Sequence, residues 1–331
     1  GAASYVSSGT KPAALAGDML HPALVEALTS GAPGDDYRFD YPAYAHQIEA
    51  WKHLTGASRD SVLVSSGTGS GKTECFLVPL LDDLAREAET AGTLKGVRAI
   101  MLYPLNALIA SQQERLRQWT KPFGGRLRFA LYNGQMADKR KSKRDAAEEE
   151  VPEQVLYRTT LRQNPPPILV TNNTMLEYMT IRKEDQPIVD ASRGMLRWIV
   201  IDEAHSYIGS AAAEVSLLLR RVLETFEVEA RNVRFVATSA TIGGTDDTAR
   251  ADLQRYLADL AGVPLEQVHV VFGFREKVAF PGVDADRPLG PMLRDREALS
   301  RQPVVQRIVR AAETSGAPLA AIAHEIAGTG T

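Results

Sequence analysis

Thirteen residues from Ser61 to Thr73, SVLVSSGTGSGKT, are of the types and spacing that hold a polyphosphate. Gly67, Gly69 and Gly71, with Thr68 and Ser70 between them, let the backbone curl so that successive N–H groups and the start of the next helix point at an anion. Lys72 adds a positive charge and Thr73 a hydroxyl suited to Mg²⁺. The usual spacing puts a glycine six residues before the lysine; here that place is Ser66.

A second group lies 202 − 72 = 130 residues downstream, where Asp202-Glu203-Ala204-His205 follows the apolar run Trp198 to Ile201. In an open parallel sheet, ligands sit at the carboxyl ends of the strands. There Asp202 can hold Mg²⁺ through its water shell and Glu203 can orient an attacking water. Lys72 and the acidic pair are therefore expected at neighbouring strand ends, converging on one magnesium nucleotide.

Three further groups have two readings each. The Gln47 amide can donate to and accept from an adenine edge while Tyr44 covers the base, or Gln47 can simply sit at a helix start. Thr171 and Asn172, at a strand-to-helix junction, can cap the helix or meet a nucleic-acid phosphate. The hydroxyls of Thr238-Ser239-Ala240-Thr241, after the strand Val233 to Ala237, can link the acidic pair to a nucleic-acid side.

The elements needed to position these groups are legible as alternating strands and helices. Val62 to Val64, Val97 to Tyr103, Arg126 to Leu131, Ile168 to Val170, Trp198 to Ile201, Val233 to Ala237 and Val268 to Phe272 read as buried strands. Between them, Thr73 to Ala88, Asn106 to Trp119, a run after Thr174, a run from Gly209 and Thr248 to Leu260 carry helical stripes. Strand, turn and helix in alternation predict an α/β fold with a mostly parallel sheet sandwiched by helices. Residues 1–36, rich in Ala, Ser, Gly and Pro, read as a surface arm with a short helix at His21 to Leu28. Residues 138–150 are nearly all charged and read as a solvated loop, with a phosphate-gripping hairpin as the sharper alternative. Beyond Arg275 a Pro/Gly/Asp-rich linker leads to helical runs at Val304 to Ala312 and Leu319 to Ile326, read as two solvated helices or as the opening of a winged-helix element.

Composition sets the outer limits. At 331 residues, 44% hydrophobic and 24% charged, the chain has the make-up of a soluble globular protein with a sizeable core. A net charge of −3 gives no global electrostatic footprint for nucleic acid, so such binding must come from local patches. The single cysteine, Cys75, excludes an internal disulfide and a cysteine-cluster metal site, and fits a cytoplasmic location. No stretch of about 18 apolar residues occurs, so no membrane association is expected. The start at Gly1-Ala2-Ala3 reads as that of a fragment.

Taken in order, Gln47, SGTGSGKT, YPLNALIASQ, TNNTMLEYM, DEAH and SAT resemble the motifs of the first motor domain of superfamily 2 helicases, over Tyr37 to Phe272. The small residue at position 66 resembles a helicase variant of the loop. IDEAHSYIGSAAAEVSLLLRRV is similar to the DEAD/DEAH-box DNA helicases that carry a C-terminal domain of unknown function, a group with DNA-repair and anti-phage defence types. LYPLNALIASQQERL is nearest the defence type.

The resemblance implies a RecA-like P-loop NTPase fold over 37–275, ATP and Mg²⁺ as cofactors, and 3′ to 5′ translocation on single-stranded or tailed DNA, RNA not being excluded. It assigns Lys72, Thr73, Asp202 and Glu203 to the nucleotide and its hydrolysis and Gln47 to adenine. Pro104, Asn106, Gly134, Thr171 and Asn172 fall to the DNA track, and His205, Ser239 and Thr241 to coupling. Such motors need a second RecA-like domain of the same parent chain, with its arginine fingers, and work with partner proteins of a defence or repair system. No such domain is legible before residue 331. Two alternatives stand beside the helicase reading: an ATP-driven remodeller of protein–DNA complexes, and a nucleotide-gated interaction module.

Overall fold

The structure, a computed structural model, describes residues 4–32, 35–139, 151–240 and 245–276. The chain divides into two compact units, Tyr5–Arg275 and Gly1–Ser4 with Glu276–Thr331. The helical runs expected beyond residue 276, and most of the charged 138–150 segment, lie outside the described residues.

Eight strands form one sheet: β1 (Ser61–Ser65), β2 (Ala99–Leu102), β3 (Phe129–Tyr132), β4 (Gln154–Val155), β5 (Ile168–Thr171), β6 (Trp198–Ile201), β7 (Arg234–Ser239) and β8 (Val268–Phe272). Their order across the sheet is β4-β3-β5-β2-β6-β7-β1-β8. Every pairing among them is parallel. The strands are nearly continuous apolar runs because both faces are covered. Successive side chains go to opposite layers: Val62 and Val64 join one core cluster and Leu63 the other. Met101 and Val200 likewise lie on the first side, Ile100 and Ile199 on the second.

The first layer is built by α1 (Pro22–Thr29), α2 (Ala45–Leu54), α3 (Lys72–Ala91) and α4 (Asn106–Thr120). The second is built by α5 (Arg158–Gln163), α6 (Asn173–Ile181), α7 (Gln186–Asp190), α8 (Ser210–Thr225) and α9 (Asp247–Ala261). Among the described residues no helix is long and apolar enough to cross a membrane.

The surface arm expected over residues 1–36 is corrected by this packing. Pro22 opens α1, and Leu24, Val25, Ala27 and Leu28 fall on one face and are buried with α3 and α4 in the first core layer. The Asp82 carboxylate of α3 accepts the His21 N–H at 2.5 Å and holds the helix start. Farther upstream, Val6 donates its N–H to the Phe274 carbonyl at 2.9 Å, so the chain's first strand-like residues run beside the exit of β8. Three elements escaped the pattern reading altogether, among them the five-residue α7. β4 pairs with β3 over only two residues, and α5 has only six, too short for either to show a periodicity.

Candidate functional site

β1 delivers the chain into the glycine-rich loop. Gly69 and Gly71 lie at φ 73° and 71°, the left-handed region that a side chain would strain. No side chain caps the following α3, 20 residues long, so its first N–H groups and positive dipole end are turned to the loop's concavity. The Lys72 ammonium donates to the Ser66 carbonyl at 3.1 Å across the same concavity. Ser66 fits where the usual pattern has glycine because the chain keeps a glycine opposite: a Cβ on Gly273 would lie 2.5 Å from the Ser66 Cβ. The two loop hydroxyls of Ser66 and Ser70 then bond each other at 2.5 Å.

Helix α2 takes up the carbonyls on the back of this loop. His46 Nε2 is 2.8 Å from the Ser70 carbonyl, Gln47 Nε2 donates to the Gly71 carbonyl at 3.0 Å, and Trp51 Nε1 donates to the Glu74 carbonyl at 2.9 Å. With the acceptors tied behind, the loop's donors are the groups left for a ligand. Burial pushes the His46 pKa below its ordinary value, against the Ser70 hydrogen bond, so the ring is neutral. Gln47 also accepts the Tyr44 N–H at 2.8 Å through Oε1. Its amide therefore spends one donor and one acceptor on the loop and on α2, keeping one of each. This anchoring role was not read from the sequence, although the spacing of His46, Gln47 and Trp51 along one helix was visible.

On the other side, β6 ends at Ile201 and leads into Asp202. The order β6-β7-β1 puts one strand between the acidic pair and the loop, rather than making them neighbours as expected. The intervening β7 contributes Thr238, one of the hydroxyls expected to reach the acidic pair, whereas the resemblance assigned coupling to Ser239 and Thr241. The Thr238 hydroxyl donates to Asp202 Oδ1 and accepts the Glu203 N–H, the latter at 3.1 Å. Ser239 instead is buried and donates to the Ala240 carbonyl at 2.9 Å, and Thr241 lies outside the described residues. Glu203 itself sits at φ 52°, uncommon for a side-chain-bearing residue and characteristic of strained functional positions. His205 Nδ1 lies 3.1 Å from Glu203 Oε2 and 3.4 Å from the Ala240 nitrogen.

Both groups open onto one cleft of about 590 Å³. Thr68, Gly69, Ser70, Gly71, Lys72 and Thr73 line one wall and Asp202, Glu203 and His205 the other, with Tyr44 and Gln47 at the α2 end. Gly67 does not line it; a Cβ there would come 2.6 Å from the Tyr5 hydroxyl. The Asp202 carboxyl is held above its ordinary pKa by burial and by Glu203, against the opposing pull of the Thr238 hydroxyl and the Lys72 charge. Oxygen donors from Thr73 and Asp202 facing amides and an ammonium make a set that fits a magnesium polyphosphate.

The sequence reading missed four wall residues: Asp36, Tyr41, Glu74 and Arg115. Arg115 pairs with Glu74 at 3.1 Å and lies over the Tyr37 ring at 5.5 Å from its centroid. Glu74 Oε2 is buried without a hydrogen-bond partner, an orphaned acceptor in the cleft wall. An arginine on the third turn of α4 carried no local signal that it would reach back to the loop.

The groups assigned to nucleic acid gather at the carboxyl ends of the adjacent strands β3, β5 and β2. Pro104 is half-buried and Asn106 and Gly134 are exposed. Asn172 Nδ2 donates to Asn106 Oδ1 at 2.8 Å, joining the starts of α6 and α4. Asn172 Oδ1 accepts the Met175 N–H at 2.9 Å, so this residue is the α6 cap as well. Thr171 is a correction: it is fully buried, and its hydroxyl donates to the Tyr132 carbonyl at 2.6 Å, fixing β5 against β3 instead of facing outward.

With this geometry in place, the comparisons with known proteins fall in one direction. The sequence profile described as DEAD/DEAH box helicase matches residues 44–248. Druantia protein DruE of Escherichia coli is 27% identical, over 66% of this chain and 17% of its own length. The uncharacterized ATP-dependent helicase YprA of Bacillus subtilis is 26% identical, over 69% of this chain and 27% of its own. The chain thus spans about a sixth to a quarter of the curated relatives it matches. Among solved structures, the DUF1998 helicase MrfA bound to DNA superposes with a TM-score of 0.54 at 23% identity, covering 81% of this chain and 31% of that one. Mycobacterium smegmatis helicase Lhr bound to single-stranded DNA and AMP-PNP gives 0.52 at 18%, covering 92% and 33%. At these identities the superpositions establish the fold, the RecA-like arrangement.

Proposed function

The chain belongs to the DEAD/DEAH box helicase family, and we propose that it is the first motor domain of an ATP-driven DNA translocase or helicase. One observation carries the reading: Lys72 and Thr73 face Asp202 and Glu203 across a single cleft, with Thr238 bridging the acidic pair. In this reading the loop amides and Lys72 bind the β- and γ-phosphates, and Thr73 and Asp202 hold Mg²⁺, which when bound neutralises charge on the phosphates. Glu203 orients the attacking water and accepts its proton. His205, beside Glu203, and the β7 end carrying Thr238 and Ser239 relay the state of the phosphates. The remaining donor and acceptor of Gln47, with Tyr44 and Tyr41, meet the adenine.

The amides and exposed backbone around Pro104, Asn106, Gly134 and Asn172 contact the phosphates of single-stranded DNA. DNA as the track, and 3′ to 5′ movement along it, are supported by the sequence resemblance; the DNA-bound state of MrfA and Lhr is in keeping with it. The stretch LYPLNALIASQQERL supports a role of the anti-phage defence type, and the single cysteine fits a cytoplasmic location. A second RecA-like domain of the parent chain would supply the arginine fingers, whose loss costs about 10³- to 10⁵-fold in related chemistry. The isolated chain is accordingly expected to bind ATP and turn it over slowly.

The test separates binding from chemistry. Lys72→Ala should abolish binding of a fluorescent ATP analogue to this chain, while Glu203→Gln should retain binding and remove DNA-stimulated turnover in the parent protein. Undiminished turnover in Glu203→Gln would overturn the reading.

A further inference from the structure

At the opposite end of β1 from the phosphate loop, three ligand-type side chains from three elements meet: His53 in the last turn of α2, Asp60 just before β1, and His269 in the edge strand β8. We propose that His53, Asp60 and His269 form a binding site for a divalent transition-metal cation of the zinc type. Their ligand atoms lie within 4.8 Å of one another. Asp60 Oδ2 is 3.3 Å from His269 Nε2 and 3.6 Å from His53 Nδ1.

Those two separations are compatible with a metal site. An N–H···O bond has its atoms about 2.7–3.2 Å apart, and both contacts are longer. Zinc–ligand bonds of about 2.0–2.2 Å in a tetrahedron put neighbouring ligand atoms about 3.3–3.6 Å apart. The Asp60 contacts lie at that edge length. The two imidazoles are stacked with centroids 3.9 Å apart and planes 18° from parallel, so one ring turns about its Cβ–Cγ bond when both nitrogens take up one ion. Two imidazole nitrogens and one carboxylate oxygen suit Zn²⁺, Co²⁺ or Ni²⁺; Mg²⁺ and Ca²⁺ prefer all-oxygen sites and are poor matches. All three side chains are half-buried, leaving the fourth position to water.

The placement gives the cation a structural effect. His269 pairs in register with Val62 of β1, so the metal would clasp the edge strand β8 to β1 and to the end of α2. The same strand leads to Gly273, which packs on Ser66, and the same helix anchors the loop through His46 and Gln47. Binding at the far end would therefore stiffen two of the supports of the phosphate loop.

The experiment is a calorimetric titration of the chain with Zn²⁺, without nucleotide, run beside a thermal melt. One equivalent should bind with micromolar or tighter affinity, the melting temperature should rise with Zn²⁺ concentration, and Co²⁺ should give the visible absorption of a tetrahedral ion. His53→Gln, Asp60→Asn and His269→Ala should each weaken Zn²⁺ binding at least about 10-fold. If His269→Ala compromises folding, His53→Gln, on the helix surface, still decides. Mg²⁺ at the same concentration should not compete. Absence of stoichiometric Zn²⁺ binding, or binding that persists undiminished in His53→Gln with a native metal-free melt, would overturn the proposal.

Discussion

Thr238 donates its hydroxyl hydrogen to the Asp202 carboxylate. The same oxygen accepts the Glu203 N–H at 3.1 Å, so one side chain of β7 fixes both members of the acidic pair. Thr238→Val keeps the shape but leaves the Glu203 N–H unpaired and removes a bond to a charged group. Turnover of the parent protein should fall about 10- to 100-fold, given about 1.5–3 kcal/mol for such a bond. Thr238→Ser, which keeps the hydroxyl, should remain close to wild type. DNA-stimulated phosphate release measures both, and full activity in Thr238→Val would remove Thr238 from the machinery.

Position 66 and position 273 make a reciprocal pair. Gly273→Ala drives a methyl into the Ser66 Cβ, at a built separation of 2.5 Å, and should cost about 1–3 kcal/mol of stability. Ser66→Gly in the same chain should restore much of it, less the bond between the Ser66 and Ser70 hydroxyls. Denaturant unfolding of the two single variants and the double variant closes the cycle. Additive losses would mean that the glycine at 273 has nothing to do with the serine in the loop.

How far the sequence carried this reading depends on the range of the interactions. The strands and their order along the chain were legible because apolar runs bounded by turn residues are local, and the loop and acidic pair because their chemistry is packed into a few consecutive residues. Which strands are neighbours is not local, so the insertion of β7 between β6 and β1, which singles out Thr238 among the hydroxyls after that strand, stayed hidden. Arg115 and Glu74 escaped for the same reason: their pairing joins helices α4 and α3. The apolar face of α1 was misjudged because small residues surround it, and eight residues give a weak stripe.

Asn106 and Asn172 allow a structural role to be separated from a binding role. Asn172→Ala removes the α6 cap and should cost about 0.5–2 kcal/mol, whereas Asn106→Ala removes only the exposed amide contact and should cost little. Both should weaken single-stranded DNA binding, measured by fluorescence anisotropy of a labelled oligonucleotide. An Asn106→Ala chain that binds DNA like the wild type would take this edge of the sheet out of the track.

His46 predicts a pH dependence. Burial holds its pKa below the ordinary value of 6.5, so the unfolded chain takes up a proton at a pH where the folded chain does not. The sign follows: the unfolded state binds more protons in that window, so stability falls as pH drops from 6.5 to the depressed folded value and then levels off. The loss is the cost of charging a buried ring; the hydrogen bond from His46 Nε2 to the Ser70 carbonyl favours the charged form and offsets part of it. His269, also held low by burial and by its His53 neighbour, acts in the same direction. The readout is therefore a difference. Chemical unfolding of the wild type between about pH 7.5 and about pH 5.5 should lose more stability than His46→Gln, which keeps a donor but cannot titrate. Parallel losses in the two chains would show that the ring at position 46 is not the group being titrated.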